Sequence, residues 1–386
     1  MARLTTTENL FKKKAIKFME DLPYKEDPYK GRNWGHPWHS LCSYHGKLKP
    51  AIAHLLVKEF TEEGDKVLDP MSGVGTIPFE ACLQGRIGIG NDLSELAYVV
   101  TKAKVKRPNK ENVENILKQL ENFIELFKET YSEDNIPYHD FGLNKKIPDY
   151  FHPETYSEIL AARKFFINQI PDISTDEAFI FSCFLHVLHG NRPYALSRNS
   201  HPLTPYAPTG DFIYKNVVQH IRNKVELSYK KGEFENFSEG HSILGDMFNL
   251  DEKYNSEIDS IISSPPFVGS IKFFNHNWLR LWLSGWEPAD FKTADKQFLE
   301  GKQDKDLAIY NDFFKMCHAV LKPEGTIILH LGKSKKCDMG MELKKYAEPY
   351  FNIIYLGDED VRNIEKHGIS DKGSTTSHQF LFLQKK

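Results

Sequence analysis

No stretch of the 386-residue chain is apolar for long enough to cross a bilayer as a helix, so no membrane segment is expected. Its first 14 residues are polar and basic and lack the apolar core of a secretory leader. Cysteine is scarce: Cys42, Cys82, Cys183, Cys317 and Cys337 are scattered, odd in number and never spaced as CxxC. That argues against a disulfide framework and fits a reducing cytoplasm. A strong excess of one charge is missing as well; the formal net charge of −3 gives no overall pull toward a polyanion. Internal repeats and low-complexity tracts are absent, which excludes solenoids and arrays.

What is present is an ordinary globular composition, 40% apolar and 27% charged, on a chain longer than one typical domain. One large domain with an insertion, or two domains, is expected. Charge is unevenly placed. Residues 188–231 hold Arg192, Arg198, Lys215, Arg222, Lys224, Lys230 and Lys231 against only Asp211 and Glu226, a net +5. Such a run marks either a phosphate-binding face or a solvated basic surface.

Hydrophobic periodicity organises the chain. Pro50–Phe60 (PAIAHLLVKEF) reads as a helix, Lys66–Asp69 (KVLD) as a short buried strand and Thr76–Leu83 as a helix behind a glycine turn. Residues 86–91 form a second strand and 94–104 a second helix, the start of a parallel doubly wound sheet. The alternation then breaks. Apolar residues from Val113 to Phe127 keep helical spacing, 154–170 is a further helix, and Ser174 with Glu177 makes a capping box for a third that ends near Gly190. Residues 191–211, rich in Pro, Ser and Tyr, read as a long loop, uncommon in a compact domain unless functional. Strands return at 242–244, 260–262, 326–331, 352–356 and 379–383, with a helix over 310–321. Residues 110–240 therefore look inserted into one α/β domain.

The strongest local signal is residues 67–81, VLDPMSGVGTIPFEA. A strand ends in Asp69, and Gly73 and Gly75 turn the chain into a helix N-terminus, where backbone approaches a ligand closely and negative charge is favoured. Asp92 follows about 20 residues on, at the end of the next strand, where an acid accepts hydrogen bonds from ribose hydroxyls. The G-x-G-x-x-G spacing of nicotinamide-binding proteins is absent. This stretch resembles motif I of the S-adenosylmethionine-dependent amino-methyltransferases, through Asp69, Pro70, Gly73, Gly75 and Thr76. Residues 259–267, DSIISSPPF, resemble motif IV of enzymes that methylate exocyclic amines. Residues 43–50 (SYHGKLKP), with Tyr44, Lys49 and Pro50, resemble motif X. Residues 244–247 (LGDM), with Asp246 and Met247, resemble motif III, and 320–325 (VLKPEG) the late L-K-P-x-G turn.

The resemblance implies an α/β fold, a Rossmann-like class I methyltransferase sheet with a mostly helical, loop-rich insertion. The catalytic domain would comprise 1–106 and 241–386, and the inserted target-recognition region 107–240. It implies S-adenosylmethionine as cofactor, held by the motif I and motif X residues, by Asp92 and Leu93, and by Asp246 and Met247. The chemistry explains motif IV. The amino nitrogen of a base shares its lone pair with the ring, so acceptors aimed at its N–H groups must draw it toward a tetrahedral form. Ser264 would supply a side-chain acceptor and Pro265 a carbonyl; Pro265 and Pro266 fix the backbone, and Phe267 would stack on the extruded base. The sulfonium is already an activated methyl donor, so no metal is required. Within the family, serine at the first motif IV position leans toward cytosine N4 and aspartate toward adenine N6. DNA, double-stranded with the target base flipped out, is thus the expected partner, with a cognate restriction endonuclease as a companion the family allows.

Alternatives stay open. GVGTIP also resembles tRNA guanine-N2 methyltransferases; a protein glutamine methyltransferase would carry Asn in place of Ser264; a catalytically silent nucleic-acid-binding module is the non-enzyme reading. Motif III falls after the insertion, a departure from the usual order. His36, His39, Cys42 and His45 recur every three residues, but structural zinc sites favour paired cysteines at other spacings, so no metal is expected. Trp34 and Trp38 should pack, as should the three tryptophans of 275–287. In the loop, Arg192, Arg198, His201 and Tyr206 are candidates for DNA contact, through phosphate neutralisation or stacking.

Overall fold

The structure is a computed structural model and describes residues 6–31, 34–130, 140–141, 145–190, 192–199, 208–230, 234–270, 272–361, 365–366, 369–370 and 375–386. Seven strands form one sheet: β1 (Lys66–Asp69), β2 (Ile87–Asp92), β3 (His241–Leu244), β4 (Ile258–Ser263), β5 (Leu321–Ser334), β6 (Phe351–Asp360) and β7 (Thr375–Lys385). Their order is β3-β2-β1-β4-β5-β7-β6. The first five run parallel, and β7 is antiparallel to both its neighbours. This is the Rossmann-like α/β sheet expected from the sequence. Helices cover both faces, so consecutive apolar residues of its central strands are buried, among them Leu68, Ile261, Ile262, Ile327 and Ile328. The strand order reverses between β1 and β4, so a crevice opens beyond their carboxyl ends.

Helices α1 (Thr6–Asp21), α2 (Pro50–Phe60) and α3 (Thr76–Leu83) precede α4 (Glu95–Lys104). Between β2 and β3 the chain also forms α5 (Lys110–Thr130), α6 (Pro153–Ile167), α7 (Thr175–Val187) and α8 (Val217–Lys230). These helices share one continuous core with α4 and with α9 (Phe273–Leu283), which buries Trp278 and Trp282. The capping box of α7 is present: Ser174 Oγ accepts from the Glu177 amide at 3.2 Å, and Glu177 accepts from the Ser174 amide at 2.8 Å. The crossover from β4 to β5 adds α10 (Pro288–Gln297), α11 (Leu299–Gln303) and α12 (Ile309–Val320), and α13 (Met339–Ala347) links β5 to β6.

Two differences from the sequence reading have clear causes. The N-terminal arm is helix α1, whose lysine-rich face hides a stripe of Phe11, Ala15, Phe18 and Met19 buried in the core beside β7. The outer strands β5, β6 and β7 run well past their apolar centres, because antiparallel pairing with β7 continues through polar residues as far as Asp360 and Ser334.

Candidate active site

The glycine turn after β1 is held from below. Asp92, at the end of β2, accepts from the Gly73 amide at 2.9 Å and from the Ser94 amide at 2.9 Å. Thr101 Oγ1 donates to the Gly73 carbonyl at 3.1 Å, and Lys104, fully buried on α4, donates to the Val74 carbonyl at 2.7 Å. Burial pushes the Lys104 ammonium down to about 7. Gly75 has φ +69°, and a Cβ there would lie 2.7 Å from Thr101 Oγ1, so only glycine lets the turn sit on α4.

Asp69 joins the two main motifs. Its carboxylate accepts from Ser263 Oγ at 2.7 Å and from the Met71 amide at 3.2 Å. Ser263 immediately precedes Ser264, so the end of β1 and the start of the Ser-Pro-Pro-Phe loop are tied through one carboxylate. Asn91 bridges the third loop, donating to the carbonyls of Pro70 and Gly245 at 3.1 Å each. Asp246 caps the short 3-10 helix that follows (Met247–Glu252), accepting from the Phe248 amide at 3.2 Å, and faces Lys302 Nζ at 3.8 Å.

A cavity of about 600 Å³ opens over these loops, within the range of small-molecule and cofactor sites. It is lined by Tyr44, Lys49, Asp69, Pro70, Gly73, Thr76, Asp92, Leu93, Asp246 and Met247 together with Ser264, Pro265, Pro266 and Phe267. Of the expected cofactor residues only Pro50 and Gly75 stand outside the lining: Pro50 opens α2 and Gly75 packs on Thr101. Lys49 lines the cavity, but its ammonium donates to the carbonyls of Tyr24 and Lys30.

The Ser-Pro-Pro-Phe loop is positioned by residues the sequence reading did not single out. Ser264 Oγ lies 3.0 Å from His330 Nδ1 on β5. His330 is buried, and burial followed by the nearby His378 holds its imidazole well below the usual range, so the ring is neutral. Gln303 on α11 donates to the Pro266 carbonyl at 2.9 Å and accepts from Tyr310 at 2.8 Å. The Pro265 carbonyl has no protein donor among the described residues. Phe267 packs 5.5 Å from His330 and 5.8 Å from His378, centroid to centroid, flat against Gly332. A Cβ at Gly332 would lie 2.4 Å from the Phe267 ring and 3.0 Å from its Cβ, so rotating the ring alone would not relieve the clash. Gly332→Ala should therefore displace Phe267 while sparing the cofactor wall. Turnover is expected to fall roughly ten- to a hundredfold with cofactor affinity within about twofold of the parent; unchanged turnover would remove Phe267 from the reacting geometry.

Two buried acids, Asp69 and Glu300, and the half-buried Asp92 share the cavity. Asp69 and Glu300 are pushed up to about 7 and Asp92 to about 6, in each case first by burial. Glu300 accepts from the Phe273 amide at 3.2 Å, and among the described residues its Oε1, Ser72 Oγ and Asn91 Oδ1 are buried without a partner. A ligand with several hydroxyl or amino donors and positive charge fits this set.

The histidines of the N-terminal segment diverge. His39 pairs with buried Glu80 at 2.6 Å, His36 stacks on Phe234, and His45 stacks on His276. Among the described residues no group of three His, Cys, Asp or Glu side chains is placed to hold a metal ion. Trp38 is buried against Phe179, as a packing residue. In the insertion, Arg198 donates to the carbonyls of Gly210 and Asp149 and lies 3.9 Å above the Phe212 ring, which gives it a local role in shaping the loop. Arg192 is exposed. Neither lines the cavity, and His201 and Tyr206 lie outside the described residues.

Residues 37–124 match the family described as UPF0020, RMKL-like, methyltransferase domain. That segment spans the loop from Tyr44 to Lys49, the glycine turn and Asp92. No curated protein sequence matches the chain. Among solved structures, similarity extends to a TehB-like SAM-dependent methyltransferase from Corynebacterium glutamicum, at 10% identity and TM-score 0.32, covering 86% of this chain and 87% of that one. It extends also to the rRNA methyltransferase aviRa from Streptomyces viridochromogenes, at 10% identity and TM-score 0.32, covering 89% and 88%. TYW2 from M. jannaschii in complex with AdoMet matches at 16% identity and TM-score 0.20, covering 48% and 63%.

Proposed function

We propose that this chain is an S-adenosylmethionine-dependent methyltransferase acting on the exocyclic amino group of a nucleobase, with cytosine N4 in DNA the favoured target. The observation that carries this is the meeting of the Ser264–Phe267 loop with Asp92 and the glycine turn in one cavity, inside a sheet whose strand order opens that crevice. The family match over 37–124 supports the methyltransferase assignment independently of the loop.

The residues present fit the cofactor. Asp92 would accept from ribose hydroxyls, the Asp246 segment would border the adenine, and the turn at Gly73 would leave room for the methionine part. When bound, S-adenosylmethionine supplies a methyl group on a positively charged sulfur. Ser264 and the Pro265 carbonyl accept from the two N–H groups of the target amine as its nitrogen becomes tetrahedral. The His330 tautomer that leaves Ser264 most free to accept carries its proton on Nε2. Ser264 then donates to Nδ1, and its lone pairs are left for the amine. Phe267 offers a ring face to the extruded base, and Gln303 stiffens the loop by fixing the Pro266 carbonyl.

Asp92 gives the cofactor step a pH dependence. Its carboxyl is raised by burial to about 6, so it is neutral below that value and charged above it. Accepting from hydroxyls favours the charged form. The Asp92 contribution to cofactor affinity is therefore expected to be full above about pH 7 and to weaken as pH falls through 6. Calorimetric titration across that range checks this, and Asp92→Asn should remove the step centred near 6, leaving what Asp69 and Glu300 contribute near 7. A parent profile flat down to about pH 5 would contradict it.

A second reading, guanine N2 in RNA, is favoured by the GVGTIP stretch inside the matched segment. Incubation with cofactor carrying a labelled methyl group and an equimolar mixture of DNA and RNA separates the two. Label in DNA supports the first target, label in RNA the second, and label in neither removes nucleic acid as substrate.

A further inference from the structure

The basic run at 188–231 is not absorbed by the cavity, since neither Arg192 nor Lys224 lines it. The fold nevertheless brings both residues beside the cavity's N-terminal wall. Lys47, which lines the cavity, donates to the His39 carbonyl at 2.7 Å, and Lys224 on α8 donates to the Ser40 carbonyl at 3.0 Å. Near them, His186 on the last turn of α7 meets Ser43 Oγ at 3.3 Å and stacks on Tyr194 with centroids 5.1 Å apart. Beneath the surface, Arg280 donates to the carbonyls of Leu185 and His189 at the end of α7.

The charges in reach of His186 are Lys224, Arg280, Lys47 and Arg192, all positive; burial first, and then these cations, keep its ring neutral. Lys47 and Arg280 are aimed by backbone carbonyls, whose partial charges orient a cation without cancelling it. The outer side of this cluster is open to solvent. Ser43, His45, Gly46 and Arg192 are exposed and Tyr194 is 43% exposed. His45 and Gly46 also line the cavity, which makes this face its rim.

We propose that this rim, from Lys47 across Ser43 and His186 to Lys224 and Arg192, holds the sugar–phosphate backbone flanking the base being methylated, an assignment that rests on the nucleobase reading above. A base extruded into the cavity leaves its neighbouring phosphates at the mouth. There the cations neutralise phosphate charge, the Ser43 hydroxyl donates to a phosphate oxygen, and the exposed Tyr194 ring stacks on an adjacent base. The site draws its cations from the motif X loop, α8 and the loop after α7, segments far apart in sequence, and this is why the run at 188–231 looked ambiguous alone.

The test is fluorescence-anisotropy binding of short DNA and RNA oligonucleotides over a salt series, with cofactor affinity measured in parallel. Arg192→Glu with Lys224→Glu should weaken binding tenfold or more and lower the log–log salt slope by about 1–2, at about 0.9 per duplex phosphate. Cofactor affinity should stay at the parent value. Because Lys224 also fastens a loop, Arg192→Glu with Tyr194→Ala provides a second variant confined to exposed side chains, expected to lose severalfold. Lys13→Glu with Lys17→Glu on α1, which packs against β6 at the other edge of the sheet, should change nothing. Parent-like affinity and slope in both rim variants, or equal loss in the α1 variant, would overturn the proposal. A parent chain that binds no oligonucleotide at low salt overturns the nucleobase reading and this proposal with it. Rim variants that lose binding to a polymer that even the parent never methylates uphold the rim and overturn the methylation reading alone.

Discussion

Ser264→Ala is expected to slow single-turnover methyl transfer by roughly a hundredfold, about 3 kcal/mol of lost transition-state stabilisation, with cofactor affinity close to that of the parent. The hydroxyl's value is concentrated in the moment when the amine nitrogen leaves the plane of the base and gains positive charge. Before that moment the amine is a weak donor, and binding of the base loses little. Structurally the substitution is mild: Ser264 is only partly buried, and the hydroxyl's partner on the protein is His330, which loses one hydrogen bond. The strand end is secured by its neighbour Ser263 through Asp69 rather than by Ser264. His330→Phe separates the roles further. It leaves the Ser264 hydroxyl in place but without its acceptor, so the rate should fall by less than for Ser264→Ala. Near-normal rates for folded Ser264→Ala would take the Ser-Pro-Pro-Phe loop out of the chemistry.

Asp92→Ala is expected to weaken cofactor binding by about 1.5–3 kcal/mol, or roughly ten- to a hundredfold and somewhat beyond. Two effects combine in that figure. The ribose hydroxyls lose a charged acceptor, and the amides of Gly73 and Ser94 lose the carboxylate that shapes the turn. Asp92→Asn divides them in part: it removes the charge, and its single amide oxygen can accept from only one of the two backbone N–H groups that the two carboxylate oxygens serve. A loss in Asn smaller than that in Ala measures what the one retained backbone hydrogen bond contributes. Lys104, Thr101 and the packing of Gly75 continue to hold the turn in either variant, so the fold should persist. Unchanged affinity in folded Asp92→Ala would remove this carboxylate from the cofactor site.

The parts of the site legible in the sequence were those written locally. A strand ending in Asp69, two glycines before a helix, an acid one strand later and two prolines before an aromatic each state their geometry within a few residues. A parallel, doubly wound sheet follows from the alternation of such units, so the fold class could be anticipated as well. What escaped was set by tertiary neighbours. His330 lies within a strand that reads as ordinary and Gly332 just beyond its read end, and only the pairing of β4 with β5 places them under Ser264 and Phe267. Gln303 sits in a five-residue helix with no periodicity of its own, yet it fastens the Pro266 carbonyl. Arg198 shows the converse. Its sequence context suggested a nucleic-acid contact, whereas its guanidinium is occupied by two carbonyls and an aromatic ring.

The position of the transferred methyl group is the most direct measurement. After reaction with labelled cofactor and nucleic acid, the polymer is digested to nucleosides and the labelled nucleoside identified by mass spectrometry against standards. Methyl on an exocyclic nitrogen, foremost N4 of cytosine, is the expected result, and with Ser264→Ala it should form roughly a hundredfold more slowly. Methyl on a ring carbon, a ring nitrogen or a ribose oxygen would contradict amine methylation by the Ser264–Phe267 loop.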